Sequence, residues 1–119
     1  MTPSPHTRLG VLRKRQDFLA LRNAPKAHTP GFMMLARKNP ENGEMARIGL
    51  TVTKKLGGAV IRNRIRRRLK AAAREVFPAN AAAGADYVLI ARKAAYDRNY
   101  TALLDDMKRA LLRLAPVTK

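Results

Sequence analysis

Between Lys54 and Arg74 the chain carries nine lysines and arginines and no carboxylate; the first acid afterwards is Glu75. No other stretch constrains the fold as tightly. Ile61, Ile65, Leu69, Ala72, Ala73 and Val76 recur at spacings of three and four, which predicts a helix over residues 59–77 with one apolar stripe. The cations occupy the remaining surface. Arg62, Arg66 and Lys70 share one row, Asn63, Arg67 and Arg74 a neighbouring row, and Arg64 and Arg68 another. Like charges four apart each weaken an isolated helix by about 0.2–0.5 kcal/mol. The sequence accepts that cost repeatedly without one interleaved Glu. Such a helix needs an apolar layer beneath it and an anionic partner above it.

The remaining sequence supplies the layer. Residues 14–23, around Phe18, Leu19 and Leu21, predict a short helix that Pro25 stops. Residues 24–30 are irregular, with room for a short edge strand. Phe32 to Ala36 is an apolar run that reads as a strand. Arg47 to Thr53 alternates cleanly, with Ile48, Leu50 and Val52 on one face. The Asn42-Gly43 pair between them suits a tight turn, so the two runs are expected to pair as a β-hairpin. Pro78 is expected to end the basic helix. Asp86 and Tyr87 to Ala91 predict a further strand. A last helix is expected over residues 99–114, burying Tyr100, Leu103, Leu104, Met107, Leu111 and Leu114. The order is that of an α+β fold, a small central β-sheet packed with helices. If the strands at 47–53 and 86–91 lie parallel, the basic helix is their crossover, and general sterics favour a right-handed one.

With 119 residues and 46% hydrophobic content, residues 1–119 are expected to form a single domain. Its core must be mainly aliphatic, because there are three Phe, three Tyr and no Trp. Residues 1–10, with Pro3, Pro5 and Gly10, read as a flexible N-terminal tail.

A formal charge of +17 makes a chain this small repel itself. A polyanion relieves that repulsion, with nucleic acid ahead of an anionic membrane. Arginine outnumbers lysine in the basic helix, and its flat fork grips two phosphate oxygens or stacks on a base. Asn63 can read a base edge or a 2′-hydroxyl, or serve as a solvated or capping residue. The Gly57-Gly58 pair lets backbone approach an anion or simply turns the chain; no Gly-Lys-Ser/Thr follows to make a phosphate-binding loop.

Other classes are disfavoured. The absence of Cys excludes disulfides, a Cys-ligated zinc site and a thiol nucleophile, and fits a reducing compartment. No apolar run is long enough to span a bilayer. Met1 to Gln16 is polar and basic, unlike a secretory signal. Arg8, Arg13, Lys14 and Arg15 resemble a transit peptide in composition, but a tail leading into a helix is the simpler account. Glu41 and Glu44 flank a turn, Asp105 and Asp106 are expected on the outer side of the last helix, and His6 and His28 fall in irregular segments. None makes a catalytic or metal-binding group. A helix-turn-helix DNA reader is disfavoured because strands flank the basic helix. A membrane-surface helix would need the apolar stripe that the sheet requires.

The string Lys54 to Leu69, KKLGGAVIRNRIRRRL, resembles the signature of the bacterial ribonuclease P protein family, centred on Arg62-Asn63-Arg64. Asp17-Phe18 in the first helix, Arg47-Ile48-Gly49-Leu50-Thr51-Val52 before the lysines, and Asp86 to Arg92 agree, so the resemblance covers residues 9–115. It implies a fold of the ribosomal-protein-S5-domain-2 kind with a left-handed βαβ crossover, against the general rule. It implies an RNA-binding subunit that assists a catalytic RNA in endonucleolytic removal of the 5′ leader from precursor tRNA, raising substrate and metal affinity. It also implies that magnesium acts through the RNA and that the protein is non-catalytic; a cytoplasmic protein, monomeric within a ribonucleoprotein, is expected. By resemblance, Lys54, Lys55, Arg62, Asn63, Arg64, Arg66, Arg67 and Lys70 bind RNA, while Phe18, Lys14 and Phe32 line a cleft for the single-stranded leader. From its residues alone Phe18 reads as core. Two departures weaken stacking in the cleft. Arg22 and Leu35 stand where family members often carry aromatic residues. The competing reading is a structural RNA-binding protein of the ribosome type.

Overall fold

The computed structural model describes residues 7–118. Five strands form one sheet in the order β1-β4-β5-β3-β2: β1 Leu9–Val11, β2 Lys26–His28, β3 Phe32–Lys38, β4 Ala46–Thr51 and β5 Ala85–Ala91. Helix α1, Arg15–Ala20, lies on one face; α2, Ala59–Asn80, and α3, Tyr100–Thr118, cover the other. The α+β layer expected from the sequence is present. β1 pairs with β4, and β4 with β5, in parallel; β5 pairs antiparallel to β3. The basic helix α2 is thus the crossover between adjacent parallel strands.

The expected hairpin is absent. β3 and β4 do not pair with each other, because β5 lies between them. Every residue of β5 except Ile90 is buried, the pattern of a strand covered on both faces, and it takes the centre of the sheet. The Asn42-Gly43 turn does form, with Gly43 at φ 61°, where a side chain would be strained. Rather than closing a hairpin, it wraps the start of β5: Asn39 N–H donates to the Gly84 carbonyl at 2.7 Å and Gly84 N–H to the Met45 carbonyl at 3.2 Å.

Other boundaries also moved. Leu9 and Gly10 belong to β1, so the expected tail cannot reach residue 10; residues 1–6, including His6, lie outside the described residues. Pro78 does not stop α2. It sits in the last turn, where only one helical bond is forgone, and Ala81 N–H still closes on the Phe77 carbonyl at 2.8 Å.

The larger core lies between the sheet and α2–α3. Ile65, Leu69, Ala72, Val76 and Phe77 of α2 meet Leu103, Met107 and Leu111 of α3 over Phe32, Met34, Tyr87 and Leu89. The smaller core, Leu12, Leu21, Leu35 and Val88, lies under α1. No helix among the described residues is long and apolar enough to cross a membrane.

Candidate nucleic-acid interface

Because α2 buries Ile65, Leu69, Ala72 and Val76 in the sheet, helical geometry turns its polar rows outward. Asn63, Arg67 and Lys70 are exposed, and Arg62 and Arg66 are half-buried beside them. Arg66 donates to Asn63 Oδ1 at 2.9 Å, and Arg62 Nε caps the Gly57 carbonyl at 3.2 Å. Asn63 therefore orients Arg66 and does not cap a helix. Lys54 and Lys55 stand exposed on the single 3-10 turn, Lys54–Leu56, that precedes α2. Ion pairs among the described residues join Arg37 and Arg47 to Asp86, Arg47 to Asp17, and Arg98 to Asp106. None uses a cation of α2, so this face keeps its full charge for an external anion.

Arg64 departs from the expected arrangement. Its Nε donates to the Tyr96 carbonyl at 2.9 Å, and its guanidinium lies 4.9 Å from the Tyr96 ring centre. Arg68 likewise donates to the carbonyls of Ala95 and Arg98. This third row fastens α2 to the turn before α3, where backbone carbonyls lack helical partners. Arg64 is thus set apart from Arg62, Asn63, Arg66, Arg67 and Lys70.

The opposite face of the sheet carries a cleft. Strand register sets its side chains in rows: Arg47, Asp86 and Arg37; then Gly49, Val88, Leu35 and Lys26; then Thr51, Ile90, Met33 and His28. Phe18 of α1 lies over the middle row. A Cβ at position 49 would come within 2.6 Å of its ring, so Gly49 is what lets the ring approach the sheet. The result is a cleft of about 190 Å³ with Met33, Leu35, Val88 and Ile90 as floor, Phe18 as wall, and Arg22 and Lys26 at its rim.

Phe32 does not belong to this cleft. It is fully buried in the larger core with Met34 and Ala36 on the other side of the sheet. Successive strand residues alternate faces, so a cleft that includes Leu35 must take Met33 and exclude Phe32. That alternation was available in the sequence. Lys14 flanks α1 as its exposed N-cap residue and is not part of the cleft wall. Arg22, which stands in the cleft where relatives carry an aromatic residue, lies at the rim as its charge requires; Lys26 has no signal in the sequence, because only the register of β2 on β3 places it there.

The row of Arg47, Asp86 and Arg37 lies next to the cleft on the same face of the sheet. Asp86 is fully buried and accepts bonds from Arg47 Nε and NH2, both 2.9 Å, Asn39 Nδ2 at 2.9 Å and Asn42 Nδ2 at 2.7 Å. Burial alone would raise the Asp86 carboxyl; the bonds from Arg47, Asn42 and Asn39 outweigh it and hold it below the usual carboxylate range. The same contacts hold the Arg47 guanidinium above its ordinary value. Arg47 also reaches Asp17 of α1 at 3.6 Å, which ties the helix bearing Phe18 to the sheet. Asp106, expected on the outer side of α3, is instead buried against Arg98.

Among the described residues no three His, Asp or Glu side chains converge on a metal-sized site. What the fold offers is a cationic helix face and, across the sheet, a narrow apolar cleft with a basic rim. The first suits folded RNA and the second a single strand.

The chain is similar to known proteins in sequence and in fold. The family profile described as Ribonuclease P matches residues 7–115. The chain is 45% identical over 116 residues to the ribonuclease P protein component of Caulobacter vibrioides, covering 97% of this chain and 78% of that protein. It is 46% identical over 120 residues to the counterpart from Paramagnetospirillum magneticum, covering 94% and 87%. The fold is similar to a Staphylococcus aureus RNase P protein mutant with defective mRNA degradation activity (TM-score 0.74, 29% identity, 90% and 88% of the two chains). It is also similar to the RNase P protein from Thermotoga maritima (TM-score 0.73, 27% identity, 86% and 94%).

Proposed function

The chain belongs to the ribonuclease P protein family, and on that premise we propose a division of labour between the two faces of its sheet. It is the RNA-binding, non-catalytic subunit of a bacterial-type ribonuclease P that assists the catalytic RNA in removing the 5′ leader of precursor tRNA. The outward face of α2, with Arg62, Asn63, Arg66, Arg67 and Lys70, engages the catalytic RNA, and Lys54 and Lys55 extend it. Arg64 contributes its remaining donors at the edge of this surface. The cleft under Phe18 receives the leader, with bases on Phe18, Met33 and Ile90 and phosphates on Arg22 and Lys26. Lys14 adds charge beside α1. With no aromatic at positions 22 and 35, the cleft holds the leader more by charge than by stacking. Magnesium serves the RNA; the protein raises metal affinity indirectly, by holding the phosphates of RNA and precursor in the arrangement that binds the ion. Residues 1–119 act as a single domain, in the cytoplasm, as a monomer within the ribonucleoprotein.

The observation that carries this reading is the acid-free face of α2, whose cations have no carboxylate partner among the described residues. The test is to add the chain to purified ribonuclease P RNA at low magnesium and follow leader removal. Stimulation is expected, and it should fade with substrates whose leader is too short to reach the cleft. No stimulation, with equal affinity for unrelated RNA, would overturn the reading in favour of a ribosome-type protein.

A further inference from the structure

A second groove lies at the edge of the sheet, between β1, α1 and α2. It arises because β1 is short. β1 pairs Leu9–Val11 with Ala46–Ile48, and Leu12 N–H adds a bond to the Ile48 carbonyl at 3.0 Å. There the chain turns away into α1. The edge of β4 beyond Ile48 is left without a strand beside it, and a groove of about 450 Å³ opens over Leu50. That size is within the range of small-ligand sites. Leu9, Leu12, Ile48, Leu50 and Ala73 make it apolar. Along one rim stand Arg66, Lys70 and Arg74 of α2, none ion-paired among the described residues. Phe18 lines both this groove and the cleft, so its ring marks the boundary between them.

We propose that this groove takes one unstacked nucleotide of the catalytic RNA, its base against Leu9, Ile48 and Leu50 and its flanking phosphates on Arg66, Lys70 and Arg74. The assignment rests on the reading that α2 faces that RNA. Its two walls match the two halves of a nucleotide. An apolar slot accepts the flat face of any base, and a row of unpaired cations holds the anionic backbone. The source follows from position. Arg66 and Lys70 stand beside Asn63 and Arg67 on the surface given to the catalytic RNA, whereas the leader's cleft is on the far side of Phe18. The open strand edge adds unpaired backbone donors and acceptors at the depth where a base edge would sit.

Base-specific chemical probing of the catalytic RNA, bound to the chain without precursor tRNA, tests this. One unpaired base should lose reactivity on binding. Val11 stands at the mouth of the groove and is 60% exposed, so Val11→Trp fills the mouth without disturbing the core. Arg74→Trp, at an exposed position, fills it from the α2 side and serves if the first variant folds poorly by circular dichroism. In either variant the base should regain reactivity and affinity should fall by about tenfold, roughly the effect of returning one apolar base face to water. Backbone protection by α2 should persist. Base reactivity that the wild-type chain leaves unchanged, or protection that survives both substitutions at full affinity, would overturn the groove alone. So would protection that appears only when precursor is added. Failure of the wild-type chain to bind the RNA would remove the underlying reading as well.

Discussion

Replacing Asp86 with alanine is expected to destabilise the chain by about 3 kcal/mol, because it strands half-buried Arg47 without its bidentate partner. The figure is at the lower end for a broken buried pair, since the Arg47 side chain keeps 25% of its surface exposed. For a domain of this size the melting temperature should drop by on the order of 10 °C. The loss extends beyond one ion pair. Asn39 and Asn42 also donate to this carboxylate, so the turn that wraps β5 loosens with it. The acid limb of stability carries a second signature. The folded carboxyl sits below its unfolded value, so its contribution is complete above the unfolded aspartate range of about 3.9 and disappears as pH falls through the folded value. Wild type should therefore lose stability more steeply than Asp86→Asn on acidification below about pH 4. Denaturant melts of the three proteins across pH measure both effects. Equal stability of wild type and Asp86→Ala at neutral pH would refute the assigned network.

The two phenylalanines should behave as opposites. Phe32 is fully buried among Met34, Leu103 and Met107, and Phe32→Ala should cost about 3–5 kcal/mol through lost burial and the cavity left behind. Leader affinity, measured where the variant remains folded, should change little. Phe18 is only partly buried at the cleft wall. Phe18→Ala should weaken binding of precursor with a leader by roughly tenfold relative to a substrate without one. It should destabilise less than Phe32→Ala, because part of the ring already faces solvent. A comparison of melting curves with leader-dependent affinity separates the roles. A larger leader effect from Phe32→Ala than from Phe18→Ala would reverse the assignment of sheet faces.

Much of this could be read from the residues because helical periodicity is local. The stripe from Ile61 to Val76 has one way to lie against a sheet, and the outward position of Arg62, Arg66 and Arg67 follows from it. Strand order is not local. The Asn42-Gly43 turn signals a reversal but not the partner of either strand. The near-continuous apolar run of β5 was the clue that it would hold the centre and separate β3 from β4. The cleft failed for a related reason. Phe32 suits the cleft by residue type, whereas the pleat requires the parity of Leu35 and hence Met33. Arg64 shows a further limit. Its spacing matches its neighbours, but the turn it meets, residues 93–98, comes from distant sequence, and only the folded chain brings the Tyr96 carbonyl to it.

The account stands most directly on the charged face of α2, and the salt dependence of RNA affinity measures it. With roughly six phosphates contacted, log affinity against log salt should be steep, and Arg66→Ala/Arg67→Ala/Lys70→Ala should flatten it by about 2–3 units. The melting temperature should barely move, since none of the three is ion-paired among the described residues. An unchanged slope, or a large fall in melting temperature with the slope preserved, would mean that these cations hold the protein together rather than the RNA to it.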